Sequence, residues 1–273
     1  MTLTPKRAIF YAELMISAER ILFMVIDSHL HLPVDYPDFS AKKEALIAEL
    51  RRNGVDKGIV IADSELESVI GSVRDCAELF RDSDMIKVIA GISPFISYNE
   101  QLRLCRELLE RGDIIGLKLY TGHESFYCTD HVLSPVFDLA AEFEVPVLFH
   151  TGWDNTQYSA PDKMKELAQS RPQNRFVYCH CFYPELEQCF RTLKGSENVW
   201  FDTSSVADNS RICPKIKTAL EAAISAMPER FIFGSDFGSC SEKVHLDFAA
   251  SLDITPKQRE LFMYENALRV YKI

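Results

Sequence analysis

From residue 25 onward, short apolar runs alternate with amphipathic stretches along the chain. Eight runs read as strands: residues 25–31, 58–62, 88–92, 114–120, 145–151, 175–182, 199–203 and 230–234. Between several of them apolar residues recur at helical spacing. Residues 41–52 carry Ala45, Leu46 and Leu50 on one face, 101–110 carry Leu102, Leu108 and Leu109, and 216–226 repeat the pattern. Pro135 before 136–143 and Pro184 before 185–193 suit the first turn of a helix, where a missing N–H costs nothing. Gly54 and Gly112 suit helix ends. Such alternation predicts an α/β fold with parallel strands, and eight units in about 250 residues is the arithmetic of a single (β/α)8 TIM barrel. An open doubly wound sheet is the competing reading, but no GxGxxG follows any strand. Residues 1–24 fit the plan poorly and read as an N-terminal extension, either an accessory helix or the product of an upstream start; residues 25–273 are the barrel.

Composition supports a large buried core, with 47% of the 273 residues hydrophobic. Forty acidic against thirty basic side chains leave a formal charge of −10, which argues against nucleic acid or an anionic membrane as partner. A small-molecule substrate remains, with a homodimer left open. The eight cysteines lack any CxxC spacing and read as reduced thiols of a cytoplasmic protein. No stretch approaches the roughly 18 apolar residues of a membrane span.

The chemistry lies at the strand ends. The first strand closes on Asp27-Ser28-His29-Leu30-His31, and alternation sends His29 and His31 to one face, about 6.6 Å apart along the strand. One HxH is a weak signal. Three further strands strengthen it: His150 ends the fifth, His180 the sixth, and Asp236 stands just past the eighth. In a barrel these ends share one face, where catalytic groups gather. Four histidines and a carboxylate at one mouth have no packing purpose, so a metal site is expected.

The ordered motifs IDSHLHL, GLKLY, LFHTG, YCHC, FGSD and the terminal ENALRVYKI resemble the amidohydrolase superfamily, in its aminocarboxymuconate-semialdehyde decarboxylase-like branch of metal-dependent hydrolases. The resemblance runs from Ile26 to Ile273. It implies that His29, His31, His150 and Asp236 hold one divalent ion, zinc by its nitrogen-rich ligand set. It also implies that Asp236 and His180 are catalytic, His180 bonding the activated water or the substrate. Lys118 stays double-valued. In binuclear relatives a lysine here is carboxylated and bridges a second metal; in the mononuclear branch it would bind a substrate oxygen, alongside Tyr120 and Trp153. The expected activity is hydrolysis of an amide, ester or lactone by metal-activated water. Non-oxidative decarboxylation of a conjugated or aromatic carboxylate is the alternative.

Other residues carry blander expectations. Cys179 and Cys181, flanking His180, should both face outward for packing. Asp27 should orient the first-strand histidines. His123, His131 and His245 read as loop or helix-edge residues, with His123 kept in view because the long loop after the fourth strand would shape a pocket. Arg211 and Lys215 read as solvated charges.

Overall fold

The apolar runs become eight parallel strands in a computed structural model, which describes residues 24–153 and 155–273. They are β1 (Ile26–Leu30), β2 (Lys57–Ile61), β3 (Ile86–Gly91), β4 (Leu117–Leu119), β5 (Pro146–Phe149), β6 (Arg175–Cys179), β7 (Val199–Asp202) and β8 (Phe231–Ile232). A helix follows each: α1 (Phe39–Asn53), α2 (Val73–Phe80), α3 (Tyr98–Arg111), α4 (Ser134–Glu142), α5 (Pro161–Ser170), α6 (Leu186–Leu193), α7 (Cys213–Ala226) and α8 (Glu242–Ser251). The short helices α9 (Pro256–Glu260) and α10 (Asn266–Tyr271) complete the chain. Spacing alone does not announce α2, α5 or α8, because eight to ten residues hold too few turns for a periodic stripe. The expected extension falls outside the described residues apart from Met24. Among the described residues no helix is long and apolar enough to cross a membrane.

Local signals set the helix bounds. Asp38 caps α1 by accepting from Ala41 N, and Ser72 forms a capping box with Asp75 at the start of α2. Gly54 and Gly112 end α1 and α3 in the left-handed conformation, each returning its N–H to the last carbonyls. Pro135 sits in the first turn of α4 as expected. Pro184 does not do so in α6. It precedes the cap residue Glu185, because a turn after β6 occupies the chain up to Tyr183.

The strands neighbour one another in sequence order, all parallel. Between β8 and β1 the closure runs through the segment that extends β8. Ser28 N donates to Phe233 O at 3.0 Å, Asp236 N to His29 O at 2.9 Å and His31 N to Phe237 O at 2.7 Å. Outward residues such as Val60, Phe149 and Phe201 pack against the helices. Ile59, Ile61, Leu148, Val177 and Ile232 fill the interior, joined by Val270 and Tyr271 of α10.

One irregularity matters for function. In β1, Asp27 pairs with Gly58 and Leu30 with Val60, three steps against two, so β1 carries one extra residue. Such a bulge shifts the inward–outward phase along a strand. Ile26 belongs to the interior and Leu30 to the outer layer, so His29 and His31 face inward beyond the bulge. Asp27 is parted from them. Its Oδ1 accepts from the backbone N–H of His29 and of Ser235. Burial and the nearby Glu242 of α8 push its carboxyl well above the usual range. Asp27 is thus a buried partner of His29 as expected, but through the backbone, and the ring is held by another group.

The helix ends offer a backbone test free of packing. A Cβ added at Gly112, where φ is 74°, meets nothing within 4 Å. Gly112→Ala should thus cost about 1–2 kcal/mol, the price of a left-handed L residue alone. Gly112→Asn should cost less, since asparagine tolerates that conformation. Urea unfolding of the two variants checks this ordering.

Candidate metal centre

The barrel closure lays the backbone of Asp236 against that of His29, and their side chains meet above the interior. His29 Nε2 and His31 Nε2 lie 3.5 and 3.3 Å from the same oxygen, Asp236 Oδ1. The other rim of each ring is tied down. His29 Nδ1–H donates to Asp202 Oδ2 at 2.5 Å, and His31 Nδ1–H donates to Ile61 O at 3.0 Å. Both rings are thereby held in the tautomer whose Nε2 lone pair points at the carboxylate. Asp236 is fixed in turn, since Ser205 Oγ donates to its Oδ2 at 2.5 Å. All three residues are buried. Ligands bonded at about 2.1 Å around a tetrahedral ion stand about 3.4 Å apart, so these separations match two edges of such a site. The donor set fits a divalent cation.

His180 and His150 stand beside this trio, though neither belongs to the set of donor atoms lying within 4.8 Å of one another. The His180 ring is 5.0 Å from that of His29 and 4.7 Å from that of His150. His180 Nδ1–H points at Ser204, whose carbonyl lies at 3.2 Å and whose Oγ lies at 2.9 Å. That hydroxyl also stands 3.1 Å from His29 Nδ1. His150 Nε2 is buried without a hydrogen-bond partner among the described residues, as a ligand nitrogen awaiting a cation would be. His123, from the loop after β4, lies against His150 with ring centroids 4.0 Å apart, so this loop residue belongs to the site wall.

Lys118 points into the barrel from β4 and is 1% exposed. Its Nζ has no hydrogen-bond partner among the described residues and sits 5.7 Å from the centre of the Tyr120 ring. Tyr120 Oη donates to Ala62 O. Trp153 stacks on Tyr183 at 4.3 Å and lines a cavity of about 390 Å³ with Asn209, Ile212 and Lys215. Trp153 is 46% exposed.

Burial pushes the His180 imidazole down to about 3, and neighbouring His29 adds to the effect. His150 moves the same way by burial and by the charges of His180 and Lys118. His29 also falls, burial outweighing its bond to Asp202. Asp202 feels an opposite balance. Burial raises its carboxyl, but His29 beside it brings the net value below the usual range. The pair is thus a neutral donor on an ionised acceptor.

Asp202 is the site residue that sequence reasoning passes over. Its signal was available: a carboxylate closing an otherwise apolar strand at the end where other strands place histidines. Two further expectations are corrected. Cys179 faces the interior with Val177, within 4.8 Å of His29 and Asp202, because alternation stops there and the chain turns left-handed at His180. That trio is not a second ion site, for His29 Nδ1 already carries the hydrogen given to Asp202 and burial pushes the thiol up. Cys181 does face outward. His245 is buried rather than peripheral, its Nδ1–H donating to Ser241 O at 2.9 Å. Arg211 and Lys215 stay exposed as expected.

Known proteins share the family and the fold. The amidohydrolase family model matches residues 26–273. Among curated proteins none matches. An uncharacterized TIM-barrel protein from Bordetella bronchiseptica is 20% identical, with a TM-score of 0.75 over 91% of this chain and 98% of its own. A probable 2-pyrone-4,6-dicarboxylic acid hydrolase from Acinetobacter baumannii, solved with citric acid bound, is 15% identical, with a TM-score of 0.65 over 91% and 99%. A dihydroxybenzoic acid decarboxylase from Polaromonas sp. JS666, solved with manganese and 2-nitroresorcinol, is 13% identical, with a TM-score of 0.66 over 92% and 97%.

Two outcomes follow from the ring contacts. Asp202→Asn should weaken divalent-metal affinity by about 10–100-fold while leaving the fold intact, read by competition with a chromogenic chelator. Metal-free protein should lose stability on acidification. His180 is protonated near 6.5 in the unfolded chain but only near 3 when folded, so the unfolded state binds the extra proton as pH falls between those values. His180 alone should cost on the order of 2 kcal/mol between pH 7 and pH 5. Urea titrations at the two pH values check the sign; equal stability would contradict the neutral buried ring.

Proposed function

Because the chain belongs to the amidohydrolase family, we propose that it is a metal-dependent hydrolase acting on an amide, ester or lactone of a small molecule. The observation that supports this most is the single carboxylate oxygen, Asp236 Oδ1, facing the Nε2 atoms of both His29 and His31 at 3.3–3.5 Å. In this reading His29, His31, His150 and Asp236 hold one ion, zinc by preference for three nitrogens and an oxygen. The manganese of the Polaromonas decarboxylase is the alternative metal. The ion supplies Lewis acidity and a lowered pKa for water.

The chain's own groups do the rest. Asp236 takes the proton of the attacking water at the oxygen shared with Ser205 and returns it to the leaving group. His180, held by Ser204 through Nδ1, presents the Nε2 lone pair, which accepts a hydrogen from the attacking water or from a substrate hydroxyl. Lys118 offers the buried ammonium that takes an anionic or carbonyl oxygen of the substrate. The LFHTG and FGSD contexts support one ion over two, the second requiring a carboxylated Lys118. Tyr120 and Trp153 form the walls. Eight unpaired cysteines support a cytoplasmic address.

Decarboxylation is the second reading, favoured by the Polaromonas enzyme of this fold and by Lys118 as holder of a substrate carboxylate. Carbon dioxide release against acid production, over a panel of lactones, amides and aromatic acids, separates the two. On a hydrolysed substrate, Asp236→Asn should lower kcat by about 10²–10⁴-fold while the protein still binds metal. Full activity of that variant would overturn the assigned role.

A further inference from the structure

We propose that Thr151 is a positioning residue that keeps His180 inside the barrel, an inference that rests on the reading of His180 as a site residue. β6 ends on Cys179, which faces inward. Extended chain would send the next side chain outward, against the helices. Instead His180, Cys181 and Phe182 have φ of 62°, 52° and 60°. Three successive left-handed L residues are unfavourable by about 1–2 kcal/mol each, so the turn stands only if its surroundings impose it.

One hydroxyl spans it. Thr151 Oγ1 donates to Cys179 O, before the turn, at 2.5 Å and accepts from Phe182 N, at its end, at 2.9 Å. Thr151 is wholly buried, and the turn uses both capacities of its hydroxyl. The next residue lets the two loops touch. A Cβ at Gly152 would strike the Tyr183 carbonyl oxygen and lie 2.6 Å from Tyr183 N, where Trp153 N donates to Tyr183 O at 3.0 Å. Cys181 Sγ donates to Asp202 O at 3.2 Å, tying the turn to β7. Residues 150–152 thus supply a candidate ligand, a clamp and a docking point in succession. Valine would fill the volume of Thr151, so packing alone does not account for the hydroxyl.

The test reads the His180 ring by nitrogen-15 NMR in metal-free protein, its signal assigned by loss in His180→Gln. This readout needs no substrate or metal, so it stands or falls separately from the hydrolase reading. Thr151→Val should speed exchange of the His180 Nδ1–H at least tenfold, and Thr151→Ser should keep it within twofold of the parent. An unchanged ring signal in Thr151→Val, or equal damage in Thr151→Ser, would overturn the proposal. Should Thr151→Val fail to fold, exchange in the parent protein decides. The His180 Nδ1–H and the Phe182 amide should then open together, within twofold; tenfold faster exchange at His180 would contradict the clamp.

Discussion

The seam between the last strand and the first governs everything above it. β8 is only two residues long, and the barrel is joined by the stretch that follows, where residues 233–237 exchange backbone hydrogen bonds with Ser28, His29 and His31. Those bonds close the sheet and also bring Asp236 beside the first-strand imidazoles. Registration of the fold and convergence of three candidate ligands are therefore one event. A slip of one residue at the seam would turn the histidines to the helices and empty the site.

Burying six polar side chains at one barrel mouth is unfavourable unless each finds a partner. The protein meets most of that demand from the strand ends. Asp202, Ile61 and Ser204 take the Nδ1–H groups, and Ser205 takes one oxygen of Asp236. The unmet remainder, His150 Nε2 and Lys118 Nζ, lies in the same cluster. Buried orphan groups in native proteins call for an explanation, and under the proposed function a cation and a substrate oxygen would supply one for these two.

The apolar runs and the strand-end histidines were legible because strand position and period report where a side chain stands. That logic placed His29, His31, His150, His180 and Asp236 at one mouth without coordinates. It failed where the chain departs from period two. The bulge in β1 exists only relative to β2, so no inspection of β1 alone reveals that Asp27 parts company with His29. The left-handed turn at His180 likewise carries no glycine to announce it, so simple alternation sends Cys179 to the wrong side. Asp202 was hidden for another reason: one carboxylate at a strand end acquires meaning only once its neighbour across the barrel is known.

Under the proposed function His29, His31, His150 and Asp236 hold one divalent ion. X-ray absorption on protein purified without chelator, at one metal per chain, tests it most directly. The expected spectrum shows a shell of three nitrogens and protein oxygen at about 2.0–2.2 Å with no sulfur, and the ion is lost in His29→Ala. Absence of stoichiometric metal, or a sulfur shell near 2.3 Å pointing to Cys179, would contradict it.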